Sequence, residues 1–305
     1  MAFILVIALG PLAVGVILAS GWWLARGRGE GPRNGGPRAA TLAAGLVLVL
    51  GGLAVQLIAG PLSLLFDLPG GVWEWYSDFR YAIPLGLGVV GLVLVAFPVE
   101  ARTGEGTADL APRTALSFVR GRWLIAPAVI LGLLLIATIT AGVISVPDGE
   151  TGRYTMYSVD LGGERSMGTS IYGWFYSVPC LILLGVVIAS AMLDLVLISR
   201  PALARDRDRD VQVRAGRARN VLRIVTGALL VHLGLVLGSL AGAASMRSQL
   251  TTPEGDVTVW TSFAALRPLL LGSADIATAL GFALWAMVAL TAIPSRRPVP
   301  VAVGR

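Results

Sequence analysis

The chain has 305 residues, 55% hydrophobic and only 14% charged, with a formal net charge of +6. That balance excludes a soluble domain of ordinary composition. Every basic side chain is Arg, which excludes lysine Schiff-base chemistry, and a single Cys and a single His exclude a multi-ligand zinc, haem or copper site.

Apolar runs fall at approximately 2–25, 39–60, 82–98, 123–146, 171–198, 221–246 and 268–293. A run of about 20 apolar residues spans a bilayer core, so the expected fold is an all-α integral membrane protein, a bundle of seven spans forming a single domain. The first run lacks the basic leader of a signal peptide and is followed by arginines, as expected of a retained span.

Charge orients the bundle. Segments 26–38, 99–122, 199–220 and 294–305, with Arg223 just inside the sixth run, carry nineteen of the 24 arginines. Segments 61–81, 147–170 and 247–267 carry the other five, against nine acids. The positive-inside rule then places the N-terminus outside and the C-terminus in the cytoplasm, in a plasma membrane. Trp22, Trp23 and Trp123 fall at the expected inner interface, and Trp73, Trp75, Trp174 and Trp260 at the outer one. Arginines clustered beside spans fit anionic lipid headgroups better than nucleic acid. Their exclusive use, with abundant Ala, Gly, Val and Pro, points to a high-GC bacterial genome.

The three extracytoplasmic loops each pair turn chemistry with β-branched or aromatic residues, the pattern of short hairpins. They are Leu68-Pro69-Gly70-Gly71 before Val72 to Tyr76, Tyr154 to Leu161 before Gly162-Gly163, and Pro253 to Asp256 before Val257 to Trp260. Three marginal hairpins together imply a shared outer cap. Ala59-Gly60, Ala141-Gly142 and Ala241-Gly242 close the rising spans. Pro84, Pro179 and Pro268 each follow an aromatic (Phe79, Trp174, Phe263) by five residues. This is the outline of a threefold helical-hairpin repeat behind an extra first helix.

Ionisable groups inside a bilayer are costly, so each is a candidate site. Asp275 lies about two turns into the seventh run, and Gly272 and Thr278 at helical spacing predict that its face points into the bundle. His232 sits mid-span in the sixth run, turned away from the tandem Gly234, Gly238 and Gly242 ridge expected to pack helices closely. Asp194 and Arg223 are expected to pair across neighbouring spans, with Arg200 close by. Gln56, with Gly52 and Gly60, and Thr138, Ala141, Gly142 and Ser145 form small polar faces suited to helix packing.

Enzyme motifs do not emerge: there is no HExxH, P-loop or paired intramembrane aspartates. His232-Leu233-Gly234 is similar to the histidine helix of rhomboid-type proteases. Leu18-Ala19-Ser20-Gly21 does not supply their GxSG nucleophile, which excludes that activity. Two functions are carried forward. The first is a non-enzymatic accessory or scaffold subunit of an envelope complex, in contact with another membrane protein or with itself. The alternative is a proton-coupled small-solute or ion transporter using Asp275 with His232. Neither requires a cofactor or a metal.

Overall fold

The computed structural model describes residues 2–27, 36–62, 66, 69–96, 114, 116–162, 165–199, 207–252 and 255–293. The basic and acidic stretch at 205–206, the connector 28–35, most of 97–115 and the tail 294–305 lie outside the described residues, as do Arg200, Gly163, Pro253 and Glu254.

Among the described residues eight α-helices dominate: α1 (Ala2–Trp22), α2 (Gly36–Leu57), α3 (Gly70–Phe79), α4 (Ile83–Ala96), α5 (Arg122–Val143), α6 (Trp174–Ser199), α7 (Arg207–Ala244) and α8 (Arg267–Thr291). Five helical stretches among the described residues are long and apolar enough to cross a membrane, namely Gly36–Gly60, Arg122–Val143, Trp174–Ser199, Val211–Ala244 and Ala264–Thr291. The α3–α4 pair, bent by 80°, makes a sixth if it counts as one broken span. This is the pattern of a multi-pass helical membrane protein, with five or six qualifying spans where seven runs were expected. Leu9–Ala25, which overlaps α1, is a shorter apolar helical stretch.

The antiparallel pair α7–α8 forms the centre. Of the most apolar stretch of α7, 72% is buried, against 17% for α5, so α7 is enclosed on several sides while α5 faces outward. Helices α1 and α2 pack on α8, α4 bridges α2 and α7, and α5 and α6 lie against α7. The core runs through Leu48, Leu85, Leu92, Leu134, Val187, Ile224 and Leu229 to Phe282 and Trp285.

Strands occupy one end. β1 (Val146–Pro147), β2 (Tyr154–Gly162) and β3 (Arg165–Ser170) form an antiparallel sheet in the order β1-β2-β3, and β4 (Arg247–Thr252) pairs antiparallel with β5 (Gly255–Trp260). The period-two alternation of 154–161 therefore does form a strand. Gly162, at φ 81°, ends β2 in a conformation other residues adopt at a cost. Both hairpins leave their helix alike: Ser145 Oγ donates to Gly142 O, and Ser245 Oγ to Gly242 O, each at 2.6 Å.

The expected hairpin of segment 61–81 is instead α3. Val72, Trp75, Tyr76 and Phe79 recur at i, i+3, i+4 and i+7, which is helical spacing. Tyr76 is buried while Trp73, Trp75 and Phe79 stay exposed. Pro84, with no N–H to donate, falls just past the bend.

Contacts nevertheless join all three segments. Arg153 Nη1 pairs with Asp78 of α3 at 3.1 Å and its guanidinium stacks over Phe175. Tyr157 of β2 meets Phe263, just after β5, edge to face at 5.5 Å.

Candidate functional site

The most polar part of the interior surrounds His232 on α7, which has no exposed surface. Its Nδ1 lies 2.8 Å from the backbone oxygen of Tyr81, in the turn between α3 and α4. A carbonyl only accepts, so Nδ1 carries a proton, and a neutral ring then offers Nε2 as acceptor. The Tyr172 hydroxyl stands 3.4 Å from Nε2, oriented to donate.

Tyr172 sits just before α6, and Cys180 of α6 and Thr138 of α5 neighbour its hydroxyl. Tyr81 packs edge-on against Tyr172 at 4.7 Å and Tyr176 at 5.0 Å. Arg80 lies over the Tyr81 ring at 4.8 Å and the Tyr176 ring at 5.4 Å. The cluster thus links α4, α5, α6 and α7 through aromatic edges and hydroxyls. Among the described residues, Ser177 Oγ and Arg80 Nε are buried without a hydrogen-bond partner. Such groups are ordinarily satisfied by ordered water or a ligand.

The other sequence-selected residues fall elsewhere. Asp275 is exposed, so its face does not point into the bundle. Ala274, Ala277 and Thr278 are the residues α8 buries at this level. Leu269, Leu271, Ile276 and Leu280 share the exposed surface with Asp275. Insertion of an acid at the centre of a span costs about 2.5–3.5 kcal/mol, and less nearer the interface.

His232 and Asp275 are not brought together. His232 is 200° around α7 from Gly234 at about 100° per residue, and Gly234 meets α8 together with Gly227 and Val231. The two ionisable groups therefore lie on opposite sides of α7.

Asp194, 3% exposed on α6, does not pair with Arg223. The cation whose field acts on it is Arg217, six residues before Arg223 on α7, and its Oδ2 makes no hydrogen bond among the described residues. Arg223 Nη1 instead donates to Asn220 Oδ1 at 3.0 Å, and its guanidinium covers the Trp22 ring. Gln56 is half-buried on α2, beside Gly52, which packs on Phe282. Of the glycine ridge, only Gly234 is in close contact; around Gly238 and Gly242 there is open space. Thr138, Ala141, Gly142 and Ser145 are all buried, with Gly142 against Trp174.

Sequence reasoning missed the role of several arginines. Arg38 Nε donates to Ala292 O at 2.8 Å, Arg217 Nη2 to Val95 O at 3.2 Å, and Arg214 Nη1 to Ile198 O. These carbonyls stand at the C-terminal ends of α8, α4 and α6, where helical N–H donors run out and the dipole favours a cation. Among the described residues, no group of three or more His, Cys, Asp or Glu side chains could hold a metal. The chain matches no protein-family model, no curated protein and no solved structure.

Proposed function

We propose that this chain is a non-enzymatic accessory or scaffold subunit of an envelope complex, a seven-span plasma-membrane protein with its N-terminus outside and C-terminus in the cytoplasm. One observation carries this: segments from three different loops are tied together at one end by Arg153–Asp78 and Tyr157–Phe263, presenting a single built surface. Tyr154, Val257 and Trp260 are exposed on it. The arginine distribution supports the orientation. The recurrence of Ala-Gly-x-x-Ser at 59–63, 141–145 and 241–245 supports a threefold hairpin repeat behind α1, although Ser63 lies outside the described residues. The interior favours scaffold over transporter, because Asp275 and His232 form no common site. Arginine-rich segments on the cytoplasmic side complete the placement against anionic headgroups.

The test is native mass spectrometry of the protein extracted from its own membrane in mild detergent. A stoichiometric protein partner, lost when Tyr154 and Val257 are both replaced by Glu, is the expected result. A lone chain carrying a bound small solute would overturn the proposal in favour of transport. Orientation is checked in a Cys180→Ala background. A Cys placed at Thr151 must react with a membrane-impermeant maleimide in intact cells.

A further inference from the structure

Asp275 is a carboxylate on the outward face of α8, about 12 Å along the axis from Arg267. Exposed Leu269 and Leu271 lie between it and that end, and exposed Ile276 and Leu280 lie beyond it, so apolar surface brackets it on both sides. Among the described residues nothing bonds to it or pairs with it. Gly272 shares its face, one turn away, and a side chain there would meet nothing within 4 Å. A neighbouring backbone can therefore come close beside the acid.

A second copy of this chain in the same orientation would not complement it. Symmetry about the membrane normal keeps depth, so Asp275 could meet only groups that lie at its own depth. The cation nearest in depth, Arg80, is already taken up over the Tyr81 and Tyr176 rings, while Arg267 and Arg247 stand at the helix end and in β4, where long basic side chains extend toward headgroups.

Resting on the accessory-subunit proposal, we infer that Asp275 and Gly272 form the docking point for a membrane-spanning helix of a different protein, one that carries a basic side chain at the depth of Asp275. Gly272 sets the close approach, and the acid–base pair sets the register and excludes helices lacking the base. Two unpaired charges in a low-dielectric surrounding disfavour separation, so the pair acts as a specificity element.

The experiment places a photo-crosslinking residue at Ile276, and separately at Val257 in β5, in the full chain in its native membrane. The expected Ile276 product joins this chain to a different protein. Peptide mapping locates the attachment in an apolar span containing Arg or Lys. Its yield falls about tenfold in Asp275→Asn and Asp275→Leu, and recovers when Asp275→Lys is combined with replacement of the partner's base by Asp. Thermal unfolding of the purified variants checks that the fold is kept. A product of twice the chain mass, only lipid adducts, a partner span without a base, or a yield indifferent to Asp275 each overturns the inference. If Val257 captures a partner while Ile276 fails, the accessory role stands and the docking point falls. If neither does, both fall.

Discussion

Replacing Gly234 by Ala tests how α7 and α8 are held together. A Cβ built there collides with Thr278 Oγ1 and stands 2.9 Å from the backbone oxygen of Ala274. The hydroxyl is not free to swing aside without loss, since it donates to Ala274 O at 2.8 Å. The helices must part by several tenths of an ångström, and overpacking of this kind costs about 1–3 kcal/mol. Ala gains about 1 kcal/mol over Gly as a helix former, leaving a net loss of about 0–2 kcal/mol. Gly238→Ala and Gly242→Ala meet open space, so only the propensity gain remains and stability should rise by up to about 1 kcal/mol. Adding Thr278→Ala to Gly234→Ala removes the closest collision and should recover part of the loss. The assay is the denaturation midpoint of each purified variant in one mild detergent. A gain in stability for Gly234→Ala as large as that for Gly238→Ala, or equal destabilisation at Gly238, would refute this packing.

Three further outcomes are expected. His232→Ala removes a fully buried ring and the donor to Tyr81 O, and should lower stability by about 2–4 kcal/mol in the same denaturation assay. The Asp78–Arg153 pair is exposed, with side-chain exposures of 38% and 46%, so a double-mutant cycle should return a coupling below about 1 kcal/mol. Asp148 accepts the backbone N–H groups of Thr151 and Glu150, which holds its carboxyl below the ordinary range. A depressed pKa contributes stability above the unfolded value, lost as pH falls through the folded one. Amide exchange at Glu150 and Thr151 should therefore quicken, relative to intrinsic rates, only below the ordinary carboxylate range. Asp148→Asn should abolish that pH dependence.

Apolar run length and strand alternation were legible because each is a single period repeated over many residues. The β2 strand follows from Tyr154 to Leu161, and the β4–β5 hairpin from its turn residues. The helix α3 was hidden because Trp and Tyr favour strands, while its actual signal lay in the i, i+3, i+4, i+7 spacing of Val72, Trp75, Tyr76 and Phe79. The inward face of α8 was misjudged for a related reason. Gly272 and Thr278 are small, but Ala274 and Thr278 form the small-residue pair one turn apart that Gly234 meets. Asp275 sits beside that seam, not on it. The Asp194 partner was misplaced because Arg217 and Arg223 lie six residues apart on one helix, and only the packing of α6 decides between them. Nothing in the sequence announces that Tyr81 and Tyr172 converge on His232, since they come from separate segments.

The arginine bias on which the proposed orientation rests also has a local purpose. Arg38, Arg214 and Arg217 each reach the last carbonyls of a neighbouring helix, at the ends of α8, α6 and α4. Placing a guanidinium there offsets the negative end of the helix and satisfies an oxygen that has no intrahelical donor. Under the proposed orientation a positive charge on that side is useful twice, once for insertion and once for closing helix ends. A count of basic residues therefore overstates the charge left for lipid or a cytosolic partner. The same geometry weighs against a shared proton site. Gly234 turns one side of α7 to α8, and the 200° step puts His232 on the other side, against Tyr81 and Tyr172. A proton passing between His232 and Asp275 would have to cross the most buried helix of the bundle, so coupled transport through both residues is the function this packing least favours.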